Sequence, residues 1–68
     1  MTRYTVTAER GQGDDMWVFQ CVEAPGAISE STQLEDAGEL MREAIGFVED
    51  VAEGDVDVHL EVDFRQAV

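Results

Sequence analysis

The sequence predicts an α+β domain of order β-β-β-α-β, and three observations carry that prediction. Residues 3–10 and 55–64 alternate apolar and polar side chains, the period of a strand with one buried face. Residues 16–22, "MWVFQCV", are apolar on both sides apart from Gln20, as in a central strand covered twice. Between residues 32 and 53 the apolar spacing changes to three and four, the period of an amphipathic helix. Strands one to three form an antiparallel meander. The helix is then a crossover, which must run right-handed and set strand four parallel to strand one. The expected sheet order is 3-2-1-4 with the helix on one face.

Strand one places Tyr4, Val6 and Ala8 on one side and Thr5, Thr7 and Glu9 on the other. "GQGDD" follows as a hairpin turn. In strand two, Trp17, Phe19 and Cys21 form the more uniform set and point to the main core, so Met16, Val18 and Val22 need a second cover. Pro25-Gly26 breaks the chain, and a short third strand spans residues 27–30. Thr32 and Glu35 then make a capping box, with Glu35 and Asp36 at the positive end of the helix dipole. Leu34, Ala37, Met41, Ala44, Val48 and Val51 form the helix stripe, widened by Leu40, Ile45 and Phe47. Gly38 and Gly46 each cost about 1 kcal/mol relative to Ala in a helix interior, which predicts close approach to the sheet. Gly54 is the expected left-handed helix stop. In "DVDVHLEVDFR", Val56, Val58, Leu60, Val62 and Phe64 take the core side of strand four.

The 68 residues make one domain, residues 1–68, with no linker, repeat or low-complexity tract. So short a chain buries only roughly 60% of its unfolded surface, so association would help it. No apolar run reaches the ~18 residues of a membrane span, and the N-terminus lacks the apolar region of a signal peptide. The lone Cys21 excludes an intramolecular disulfide, and a buried thiol in a cytoplasmic protein accounts for it. Sixteen acidic residues face four arginines and no lysine, for a net charge of −12. That surface repels phosphate backbones, so direct nucleic-acid binding is disfavoured, while basic partners are attracted.

The chemistry-bearing residues do not assemble into a catalytic set. His59 lies among Asp57, Glu61 and Asp63, but same-face neighbours on a strand stand roughly 7 Å apart, which suits no single-ion cage. The carboxylates beside that imidazole make the face a candidate for pH sensitivity. Cys21 has no nearby base, and Arg3, Arg10, Arg42 and Arg65 are too scattered for a phosphate groove. Arg42 lies one turn from Glu39 and is expected to pair with it. No catalytic, metal or cofactor residue is expected. The acidic side of strand four either guards an open edge or docks a basic partner. In the second case Asp55, Asp57, His59, Glu61 and Asp63, with neighbouring helix acids, form the contact surface. Met16, Val18 and Val22 are the candidates for self-association into a dimer or larger homo-oligomer.

The order of elements and of punctuation residues resembles the HicB-like antitoxin family from Tyr4 to about Val62. The residues that carry the likeness are an early "YTV" strand, the aromatic strand "MWVFQCV", the exit "VEAPGA" and then "SESTQLEDAGELMREAI". The family shows a P-[DE]-x-P-G stretch, then G-x-T-x-x-E-A, then a helix ending in E-A-[IL]. Pro25-Gly26 stands at the second proline and its glycine. Thr32, Glu35 and Ala37 fall in the T-x-x-E-A region with one residue of slack, and Glu43, Ala44 and Ile45 fall at the later motif. Val22 replaces the first proline and Ser31 the glycine. The resemblance implies a partial ribonuclease H-like domain without catalysis. It also implies that the domain binds a small basic toxin ribonuclease of the HicA type and covers its active site. The C-terminal DNA-binding domain found in many such antitoxins is not expected here. Two other readings remain open: a self-associating structural or regulatory protein, and an acidic mimic of nucleic acid.

Overall fold

A computed structural model describes residues 2–11 and 15–62. Four strands, β1 (Thr2–Arg10), β2 (Trp17–Cys21), β3 (Ile28–Ser31) and β4 (Val56–Val62), form one sheet of order β3-β2-β1-β4. The β1–β2 and β2–β3 pairs are antiparallel and β1–β4 is parallel, as the crossover requires. The helix α1 (Ala37–Glu49) makes that crossover.

The period-two pattern of β1 and β4 decides which residues share a face. Tyr4, Val6 and Ala8 lie beside Val58, Leu60 and Val62 in register, and all six turn toward α1. Phe19 and Cys21 continue that layer across β2, and Ala37, Met41 and Ile45 close it from the helix. Trp17 packs at its border, beneath the Arg10 guanidinium, which sits 5.2 Å from the ring centroid. Cys21 is fully buried, and that burial pushes its thiol pKa up, which disfavours the thiolate.

The turns follow from their residues. Gly11 donates its N–H to the Met16 carbonyl at 2.7 Å and closes the β1–β2 hairpin, whose residues 12–14 lie outside the described residues. Pro25-Gly26 occupies the centre of a turn closed by the Ala27 N–H to the Ala24 carbonyl at 2.8 Å.

Several local expectations fail for identifiable reasons. The third strand begins at Ile28 and ends at Ser31, because Ala27 is spent on the turn and on a bond from the Cys21 N–H. The helix starts at Ala37 after a 3-10 turn, Leu34–Asp36, and no capping box forms. Ser31 instead fixes the turn ahead of the 3-10 segment: its Oγ accepts the Gln33 N–H at 3.1 Å and donates to Asp36 Oδ2 at 2.9 Å. At the other end Asp50, not Gly54, takes the left-handed conformation, with φ 57°. Gly54 belongs to a second 3-10 turn, Glu53–Asp55, and Asp55 therefore precedes β4. Gly38 faces open space, its nearest neighbour the Arg42 guanidinium; Gly46 is crowded by the Val51 carbonyl rather than by the sheet. Arg42 thus folds over Gly38, and no ion pair with Glu39 occurs among the described residues. Phe47, expected to widen the buried stripe, is 88% exposed. Phe64 lies outside the described residues.

Candidate partner-binding face

With α1 on one side of the sheet, the opposite side has no cover among the described residues. Its make-up is fixed by the registers of three strand pairs. One row runs Ile28–Gln20–Thr7–Glu61 across all four strands, and a second runs Glu30–Val18–Glu9. The Val22 N–H donates to the Thr5 carbonyl at 2.8 Å, which brings Val22 beside Thr5, and Thr5 lies beside His59. The face is therefore divided. Val18 and Ile28 on β2 and β3, with Val22 just past β2, make a mainly aliphatic half that also holds Gln20 and Glu30; Thr5 and Thr7 form a low ridge, and β4 supplies Asp57, His59 and Glu61.

Val22 and Ile28 are more than half exposed, whereas Val18 is half-buried. A pair of exposed aliphatic side chains is a common feature of an association surface, although Phe47, Val48 and Val51 on the helix side are exposed as well. Of the three residues expected at an association surface, Val18 and Val22 lie on this face, and Met16 is half-buried beside the hairpin turn. Ile28 is a member that sequence reading missed. The signal was its register opposite Gln20, which depends on where β3 begins.

The acidic half is more ordered than a row of solvated carboxylates. Asp57, His59 and Glu61 are all exposed. His59 Nε2 lies 3.6 Å from Glu61 Oε2 along the strand, and its Nδ1 lies 3.4 Å from Arg3 Nη2 across the β1–β4 pair. Arg3 can only donate, so its contact draws on a ring nitrogen free to accept. Arg3 was overlooked as part of this face. Its pairing opposite Asp57 follows directly from the parallel register, and Arg3 shares a side with Thr5 and Thr7. Of the five residues expected at a partner surface, three meet here. Asp55 is displaced into the preceding turn, and Asp63 lies outside the described residues.

The helix acids do not extend this surface. Asp36, Glu39, Glu43 and Glu53 surround Leu40 in a groove of about 380 Å³ beside α1, on the other side of the sheet from Asp57 and Glu61. Among the described residues no three His, Cys, Asp or Glu side chains converge to share an ion. Glu23 has a structural task that sequence reading also missed. Its carboxylate accepts the Thr5 N–H at 2.8 Å and the Cys21 thiol at 3.6 Å, just past the end of β2. Chiefly the bond from the Thr5 backbone lowers its pKa below the ordinary carboxylate value.

No helix of the described residues is long and apolar enough to cross a membrane. No protein-family model, curated protein or solved structure matches this chain.

Proposed function

We propose that this chain is an interaction module that binds a small basic protein on the open face of its sheet, as an antitoxin of the HicB-like kind binds and occludes a toxin ribonuclease. The observation that carries the reading is the divided face itself. An exposed aliphatic patch, Val22 and Ile28 with Val18, is bordered by Glu9 and Glu30 on one side and by Asp57 and Glu61 on the other. An apolar centre with a charged rim is the common anatomy of a protein–protein contact. A net charge of −12 selects a cationic partner and speeds its approach. The strand order and crossover helix support the antitoxin comparison, since they are what the resemblance implies.

The test is to look in the native host for a small basic protein encoded beside this one, and to co-express the two. The reading expects such a protein to arrest growth when expressed alone, and co-expression to give a stable complex and relief of that arrest. Asp57→Lys with Glu61→Lys should weaken capture at least tenfold while leaving the thermal melt in place, since both side chains are exposed. Absence of both complex and relief would refute the reading, and unchanged capture by the double variant would move the contact off β4.

A second reading, association with another copy of this chain, is favoured by the same exposed Val22 and Ile28. It has to overcome repulsion between two chains of charge −12, so it predicts dimers that strengthen with salt. Sedimentation at low and high ionic strength separates the two, because a complex with a basic partner weakens with salt.

A further inference from the structure

The sheet has two edges, and they are unlike. The β3 edge is four residues long, whereas β4 presents seven residues, about 23 Å of strand, with β1 on one side only. Among the described residues no backbone group of β4 bonds to anything on the side away from β1. An edge of that length is a template for another strand, and chains usually blunt it with charge, proline or a bulge. β4 carries charge alone: no proline interrupts it, and its pairing with β1 is continuous from Val56 to Val62.

That charge is not neutral as a guard. A second copy pairing along β4 with both helices on one side would set Asp57, His59 and Glu61 against the same three residues. Carboxylates opposite carboxylates oppose that pairing, and the two net charges of −12 add to it. A strand with lysine or arginine at every second position meets the reverse situation. Its cations fall beside Asp57 and Glu61 on the open face. Its alternate residues fall beside Val58, Leu60 and Val62, which the helix leaves half-buried. Apolar side chains there would complete the cover of those three.

We propose that β4 accepts a fifth strand from its partner, a segment alternating basic and apolar residues, by main-chain pairing along Val56–Val62. The proposal rests on the cationic-partner reading and adds the mode of binding. The carboxylates then have a double action: they close the edge to copies of this chain and open it to a basic strand. The specificity lies in the sign of the charge and the period of the partner's sequence, while the main-chain bonds hold the strand in place.

Three peptides test it against the intact protein: a seven-residue peptide of alternating lysine and valine, an isomer with the lysines and valines in blocks, and the alternating peptide N-methylated at every second amide on the edge that would face β4. Strand addition predicts that the alternating peptide binds at least tenfold tighter than either of the others. It also predicts slower amide exchange in β4 on binding, with little change in β3. Equal affinity for the alternating peptide and its methylated form overturns strand addition, while attraction of cations to the face survives. Failure of every lysine peptide to bind at low salt overturns both.

Discussion

Gly46 and Gly38 lie eight positions apart in one helix, yet an added methyl should have opposite effects at the two. At Gly38 a Cβ would meet nothing closer than the Arg42 guanidinium at 4.0 Å, the mobile end of a long side chain. Gly38→Ala therefore removes backbone freedom from the unfolded chain without native strain, and should stabilise by about 0.5–1 kcal/mol. At Gly46 the same Cβ would lie 3.0 Å from the Val51 carbonyl oxygen and 3.4 Å from Glu53 Cγ. The side chain of Glu53 can yield, but the carbonyl cannot do so cheaply. Val51 is held by its own N–H, which donates to the Gly46 carbonyl at 3.0 Å, and by the left-handed turn at Asp50. An overpacked site costs about 1–3 kcal/mol, against which the gain in helix propensity is about 1 kcal/mol. Gly46→Ala should then lose about 1 kcal/mol, leaving the two variants about 2 kcal/mol apart. At about 4–8 °C per kcal/mol for a domain of this size, the melting midpoints should differ by roughly 10 °C. Far-UV circular dichroism melts and urea midpoints measure this directly. A Gly46→Ala protein that melts at or above Gly38→Ala would refute the account of the helix exit.

Asp50→Gly should raise stability by about 0.5–1 kcal/mol, because glycine adopts φ 57° without the side-chain clash and the helix C-terminus loses a repelling carboxylate. Asp50→Asn separates the two causes: if it recovers the whole gain in a thermal melt, charge rather than backbone conformation is responsible. Glu23→Gln should destabilise near neutral pH, because the folded pKa of Glu23 is lowered below its ordinary value of 4.5. A carboxylate with a depressed folded pKa contributes stability above 4.5 that is lost as pH falls through the folded value. The gap between native and variant urea midpoints should accordingly narrow below pH 4.5, and a gap unchanged down to pH 3 would disprove the link.

The layout of strands and helix was legible because it rests on period. Alternation in β1 and β4 and the change to helical spacing set which residues meet across the sheet, and right-handed crossover left one strand order. Helix ends were less legible, because they depend on competition between neighbours. Thr32 had the sequence of a cap, but β3 runs one residue further, which brings Ser31 to the helix side opposite Trp17, where its hydroxyl bonds Asp36. Asp50 displaced Gly54 as the helix stop because the chain must turn at once to cover Gly46. Phe47 was misplaced by treating every apolar residue near the stripe as buried. Met41 and Ile45 already fill the space above Phe19, and a residue two positions past Ile45 points away from it. For the candidate face, the acidic half could be read from β4 alone. Its contact with Arg3 and the aliphatic half around Ile28 required the registers of all three strand pairs.

These registers also bear on why the face is divided rather than uniformly acidic. β1 is the central strand through which every row passes, and its open side carries Thr5 and Thr7, short side chains that separate the aliphatic residues of β2 and β3 from the charges of β4. The division allows one partner to use both halves: apolar side chains over Val22 and Ile28, and a basic strand added outside β4, four strand spacings or about 19 Å from β3. A partner that reached only the acidic half would bind in a way that salt abolishes. One that also covered the aliphatic half would retain affinity at high salt, so the salt dependence of binding reports how much of the face is used.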